Sequence, residues 1–331
     1  MNRLARDIEP ASKRRSTQGG APFSDMIWVP GGTFRMGSDH HYSEEAPAHR
    51  VTVTGVWMDR YPVTNREFRR FVDATHYLTT AEKPANLADY PGAKPEMLVP
   101  SSVVFQRPPG LVDMRNHYNW WAYIPGACWH HPWGPSSSLK GLADHPVVHV
   151  TYEDAAAYAA WAGKELPSEA EWEFAARGGL DGAEFAWGAE FMPGGRPMAN
   201  TWHGQFPIQK KKNPKYDWTS PVGAFPANGY GLYDMIGNVW EWTADYYQPH
   251  VMKPTGCCAS VDPRGAPRDG SFDPCHPTDR IPRRVMKGGS FLCAPNYCKR
   301  YRPSARMAQP IDTSTCHLGF RCVVRAPGPK P

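Results

Sequence analysis

Short runs of β-branched and aromatic residues open the patterned part of the chain. Met26 to Val29, Thr33 to Met36 and Arg50 to Asp59, punctuated by Pro30-Gly31-Gly32, predict short strands joined by a turn. From Thr64 the period lengthens. Thr64 and Glu67 form the capping pattern S/T-x-x-E, and Phe68, Phe71 and Val72 fall on one face, which predicts a helix. A second helix is expected from about Thr151 through Trp161, closing at Gly163, a residue suited to the left-handed position after a helix. A third starts at Ser168, with Glu171 three residues on and Trp172 and Ala176 on its inner face, and stops at Gly178-Gly179. Residues 80–146 are rich in Pro, Trp and His and show little periodicity. They are expected to be long packed loops, anchored by six Trp and Tyr residues between Tyr118 and Trp133. From Asn228 onward the pattern returns to short strands and glycine turns. There is no internal repeat, and no linker is long enough to separate a second domain from the first. The expectation is a disordered tail over 1–21, a single domain over 22–325 and a flexible tail over 326–331.

Composition adds a reason for the brevity of these elements. The chain has 35 Pro, 30 Gly and 13 Trp among 331 residues. Proline fixes φ and removes a backbone donor, so it sits badly inside helices and central strands. The predicted class is α+β, loop-rich, with low regular secondary structure. A net charge of +5 with no stripe of Lys and Arg argues against a nucleic-acid partner. Lys13-Arg14-Arg15 and Lys210-Lys211-Lys212 read as solvated tail or loop. Met1 to Ser16 carries no apolar signal core, and no stretch of 18 apolar residues occurs. The expected location is therefore the cytoplasm, with no membrane partner. In a reducing compartment the eight cysteines are more often catalytic, metal-binding or buried than disulfide-bonded.

Three groups of residues carry candidate chemistry. Cys293 and Cys298 flank Pro295-Asn296, a turn-forming pair that can bring sulfurs five residues apart to one side. Lys287, Lys299, Arg300 and Arg302 are close in sequence, and nearby positive charge favours thiolate. Two thiolates without a histidine suit copper(I) better than zinc, which wants four ligands. Two buried cysteines or a redox-labile disulfide fit the same spacing. Cys128-Trp129-His130-His131, and Cys257-Cys258 with Cys275 and His276, resemble metal tracts but lack paired zinc spacing; packing is the plainer reading. The run Asn228 to Trp242 offers the Asp234 and Glu241 carboxylates beside glycine turns that free main-chain carbonyls, as calcium requires. A tight turn with Glu241 paired to an arginine would read the same.

Six motifs in order give the sequence a family likeness. Val29-Pro-Gly-Gly-Thr-Phe-Arg-Met-Gly-Ser38, Tyr61-Pro-Val-Thr-Asn65, the Leu166 to Gly179 run, Asn228 to Trp242, Lys287-Gly-Gly-Ser290 and Leu318-Gly-Phe-Arg-Cys322 resemble the formylglycine-generating enzymes, or sulfatase-modifying factors. The likeness spans roughly residues 26–323. Most of these motifs belong to the wider superfamily; Gly-Gly-Ser-x-x-Cys-x4-Cys over 288–298 resembles the catalytic stretch of the true oxidases.

The resemblance implies the formylglycine-generating enzyme fold, which is similar to that of C-type lectins. It implies that Cys293 and Cys298 bind copper(I), that Ser290 lines an oxygen pocket, and that Trp240 stands beside it. It implies a structural calcium site at Asp234, Gly237, Val239 and Glu241, with Gly237 and Val239 acting through carbonyls. Asn200, Thr201 and Tyr216 match part of a second calcium site, but the acidic position aligns with Pro214 beside Lys210 to Lys212, with Asn213 or Asp217 as substitutes. Secreted relatives carry two disulfides; here the matching positions are Ala159, Ala176 and Pro303, leaving Cys322 without its partner.

The implied reaction converts the cysteine of a Cys-x-Pro-x-Arg motif, in an unfolded sulfatase segment, into formylglycine. Dioxygen and an external reductant are the implied co-reactants, and a monomer is expected. Two rivals stand beside this reading. One is a non-catalytic, C-type-lectin-like module that binds a peptide or other ligand. The other is an iron-dependent oxidase, which would need a three-histidine set on an added helical domain.

Overall fold

The computed structural model describes residues 23–87, 90, 92–210, 216–250, 259–276 and 280–327. The tail expected over 1–21 lies outside them, as do Cys257, Cys258, Lys211, Lys212, Asn213 and Pro214.

The three α-helices among the described residues each begin at a reciprocal capping box. Helix α1 (Asn65–Thr75) is capped by Thr64 with Glu67, α2 (Tyr152–Trp161) by Thr151 with Asp154, and α3 (Glu169–Arg177) by Ser168 with Glu171. Each box satisfies donors that a helix start leaves unpaired. Helix α3 ends at Gly178 in the left-handed conformation, as the Gly-Gly stop predicts. Helix α1 ends at His76, also left-handed, where no glycine marked the stop.

Twelve short strands are named among the described residues. They are β1 (Met26–Val29), β2 (Gly32–Met36), β3 (His49–Val53), β4 (Val56–Asp59), β5 (Ser101–Phe105), β6 (Trp121–Pro125), β7 (Trp240–Tyr246), β8 (Ser260–Val261), β9 (Arg283–Lys287), β10 (Arg306–Pro310), β11 (Leu318–Gly319) and β12 (Val323–Val324). The expected run Arg50 to Asp59 is divided between β3 and β4 at Gly55. A side chain there would meet the Trp28 ring at 2.4 Å, so the chain can pass only as glycine. The two halves join different sheets: β1-β4-β12 and β2-β3-β8.

The expectation of loops throughout 80–146 needs correction. Strands β5 and β6 pair antiparallel, Ser101 with Pro125 through Phe105 with Trp121. Strand β5 is buried on both faces except at Val103, so it shows none of the alternation that marks a half-exposed strand.

The sheet that positions the cysteines has the order β10-β9-β7-β11. Helix α3 packs against it and anchors it by charge. Glu173, fully buried, accepts from the Lys287 ammonium of β9 at 2.8 Å, from Arg177 at 2.8 Å and from the Gly37 amide. Glu169 takes Arg306 of β10 through two bonds of 2.7 and 2.8 Å. Burial alone would raise the Glu173 carboxyl, but Lys287 and Arg177 more than offset it and hold it near about 2. No helix among the described residues is long and apolar enough to cross a membrane.

Candidate active site

Strand β9 ends at Lys287, and two glycines turn the chain sharply. Gly288 (φ 94°) and Gly289 (φ 70°) are both left-handed, and a Cβ on Gly289 would lie 2.6 Å from the Arg300 carbonyl oxygen. This close return folds 290–300 back on itself. The Cys293 amide donates to the Ser290 carbonyl, and the Cys298 amide to the Ala294 carbonyl at 2.9 Å, making one helix-like turn around Pro295-Asn296. The turn sets the Cys293 and Cys298 sulfurs 3.3 Å apart. A disulfide needs about 2.05 Å, and both cysteines are free. Cys293 is 2% exposed and Cys298 9%.

The two thiols are unequal. Cys298 is drawn down to about 6, first by the hydrogen bond from Cys293; burial opposes this, and the Arg300 guanidinium 3.9 Å away adds to it. Burial pushes Cys293 well above the usual thiol range. Cys298 is thus the sulfur favoured to ionise, with Cys293 as its thiol donor. The Ser290 amide donates to the Cys293 sulfur at 3.4 Å, and the Ser290 hydroxyl, fully buried, accepts from the Leu292 amide.

Of the four cations near the pair in sequence, Arg300 alone is seen bonded to a site sulfur among the described residues. Lys287 is spent on Glu173, and Arg302 pairs with Glu45. Arg300 is itself held by Glu44 and lies over the Tyr42 ring at 3.9 Å. Sequence reading missed Tyr42 and Glu44, which stand some 256 residues away with no local motif to mark them. Tyr297, beside Cys298, is half exposed; it stacks on Phe206 at 4.3 Å and meets Trp120 edge-on. Trp240 is buried in the same core cluster as both cysteines.

The calcium residues divide. Asp234 is buried with a left-handed backbone, and its carboxylate accepts from the Gly223 amide at 2.7 Å. Burial pushes it up to about 6, the state of a carboxylate short of positive charge, so it fits a cation ligand. Glu241 is already served: Arg321 reaches both of its oxygens at 2.7 and 2.8 Å, and the Trp172 indole donates at 2.7 Å. The second set lies beside a buried cation. The buried Lys210 ammonium donates to the Asp217 carbonyl, while the Asn200 amide donates to the next carbonyl, Trp218, and Thr201 bonds His203. Tyr216 itself supplies no carboxylate. Elsewhere, Cys322 is buried and free, and Cys275 is exposed and free.

With this geometry in hand, comparisons with known proteins agree with one another. The family described as "Sulfatase-modifying factor enzyme 1-like domain" matches residues 12–326. A protein of Mycobacterium tuberculosis named formylglycine-generating enzyme is 51% identical over 91% of this chain and 97% of its own. One of the same name from Thermomonospora curvata is 44% identical over 90% and 92%. A mouse relative, 38% identical over 92% of this chain and 87% of its own, is named inactive C-alpha-formylglycine-generating enzyme 2. Among solved structures, PvdO from Pseudomonas aeruginosa superposes with a TM-score of 0.60 at 24% identity, over 93% of this chain and 99% of that one. The mixed, loop-rich fold is the formylglycine-generating enzyme, C-type-lectin-like fold.

Proposed function

We propose that this chain, which belongs to the sulfatase-modifying factor family, converts a cysteine of a sulfatase polypeptide into formylglycine, with Cys293 and Cys298 as the ligands of a copper(I) ion. Family membership alone leaves activity open, because one relative is named inactive. The observation that carries the reading is the pair of buried sulfurs 3.3 Å apart, hydrogen-bonded and not joined in a disulfide. Two soft donors with no histidine beside them fit a soft monovalent ion.

Bound copper supplies the one-electron and dioxygen chemistry that side chains cannot perform. The residues supply the rest. Cys298 holds a negative charge and Cys293 a proton between the sulfurs, so the pair is a prepared site for a cation that takes the proton's place. The Cys293 hydrogen bond, and after it Arg300 fixed by Glu44, favour the thiolate at Cys298. Ser290 orients Cys293 through its amide, and Trp240 and the surrounding core exclude water. The net reaction takes a substrate CH2–SH, dioxygen, two electrons and two protons to a thioaldehyde and two waters. Hydrolysis then gives the aldehyde and hydrogen sulfide. The electrons come from a thiol reductant, and the substrate is an extended Cys-x-Pro-x-Arg segment. A calcium ion at the 234–241 turn would be held by Asp234 and the Gly237 and Val239 carbonyls, with Glu241 kept in place by Arg321.

The test is direct. A Cys-x-Pro-x-Arg peptide is incubated with the protein, copper(I) and a thiol reductant in air. Mass spectrometry should find the aldehyde. Unchanged peptide beside a converting control enzyme overturns the proposal, and ligand binding that survives replacement of both cysteines by serine would point to a non-catalytic module.

A further inference from the structure

The tract Cys128-Trp129-His130-His131 gains an unforeseen third member in the fold. Cys128 and His131 exchange backbone hydrogen bonds across a tight reversal, which brings the Cys128 and His130 side chains together. The Cys128 sulfur lies 3.4 Å from His130 Nδ1 and 3.7 Å from Nε2, beside the ring and off the axis of either nitrogen's lone pair. Glu82, last residue of the 3-10 turn Thr80–Glu82, places Oε1 3.6 Å from the same Nδ1. Its other oxygen is pinned by the Thr79 amide at 2.9 Å and the Thr79 hydroxyl at 2.6 Å, which fixes the carboxylate's aim. His131 is drawn away to the Ser137 carbonyl and is no part of the group.

We propose that Glu82, Cys128 and His130 form a zinc(II) site. A tetrahedral zinc with bonds of about 2.3 Å to sulfur and about 2.0–2.2 Å to nitrogen and oxygen sets its ligand atoms about 3.4–3.6 Å apart. Two edges are 3.4 and 3.6 Å and all three atoms lie within 4.8 Å of one another, so a turn of the partly exposed His130 ring that aims Nδ1 at the ion completes the site. It is the one such group of three among the described residues. One carboxylate, one thiolate and one neutral imidazole carry two negative charges, which a dication cancels. Cys128 is buried, while the Glu82 and His130 side chains are 17% and 33% exposed. The cluster is thus closed on the protein side and open on one face, where water completes four-coordination. A metal there ties the turn after α1 to the 128–131 loop, beside the Phe68–Trp129 contact of the main core.

Cobalt(II), a coloured stand-in for zinc, reads the site without reference to catalysis. The reduced full chain should bind one cobalt per molecule, with a thiolate-to-metal charge-transfer band that zinc abolishes. The band should persist in the Cys293→Ser, Cys298→Ser double variant, which lacks the proposed copper ligands. It should vanish in Cys128→Ser and in His130→Ala, and Glu82→Gln should weaken binding at least tenfold. His130 is partly exposed, so its variant folds even if Cys128→Ser does not. Absence of the band in the native protein, its survival in His130→Ala, or native affinity in Glu82→Gln overturns the site. Its loss only in the Cys293/Cys298 double variant does so as well, by assigning the band to the other sulfurs.

Discussion

Helix α3 and the cysteine loop both bury charge, and they treat it in opposite ways. At Glu173 one carboxylate meets an ammonium, a guanidinium and a main-chain amide, all at full burial. At Cys298 one thiolate meets a thiol and a guanidinium 3.9 Å away, which is itself shared with Glu44. The first region spends every charge on holding β9 and β10 in place. The second keeps a negative charge under-compensated, next to a proton it can release. A site that must accept a cation needs that shortfall, and a strut does not.

The comparison breaks most visibly at Cys298. Replacing it with serine should reduce peptide conversion to the uncatalysed background while the chain still folds, its stability by urea unfolding about 1–2 kcal/mol below native because the thiolate's share is lost. A variant that unfolds instead would make the loop a strut as well. Glu173→Ala should do the reverse. It strands Lys287 and Arg177 without a counter-charge and should cost about 3–5 kcal/mol, measured by urea unfolding. The Glu173 carboxyl lies below its unfolded value, so the stability it contributes is present above about pH 4.5 and lost as pH falls toward about 2. Acid unfolding of the native protein should include this step, and the Ala variant should lack it.

Arg300→Met gives a subtler contrast. The Cys298 midpoint, near about 6 in the native protein, should move up toward the usual thiol range, read as thiolate absorbance against pH. With the folded value depressed, this group's share of stability is full above about 9 and fades as pH falls through about 6; the variant should lose that gain between the two. The smallest effect belongs to the surface. Arg115→Ala removes a pair with Asp113 in which the arginine is 91% exposed, and the urea midpoint should coincide with that of the native protein.

Local chemistry was the legible part. Thr64-x-x-Glu67 and Ser168-x-x-Glu171 announce helices because a capping box is complete within four residues. The cysteine pair is likewise readable, since Pro295-Asn296 carries its own turn geometry. What stayed hidden depends on contacts across the chain. Glu44 becomes the anchor of Arg300, and Glu82 the neighbour of His130, only when distant loops meet. The β5–β6 hairpin was hidden for another reason: burial on both faces erases the alternation by which a strand is recognised.

The central claim is that Cys293 and Cys298 act together as one ligand set for a soft ion. The most direct measurement is copper content after copper(I) loading under a thiol buffer, for the native chain and the Cys293→Ser variant. The account predicts one tightly held copper per native chain and none in the variant, with both proteins folded. Equal copper in the two, or a native chain that takes up none and still converts peptide, would contradict it.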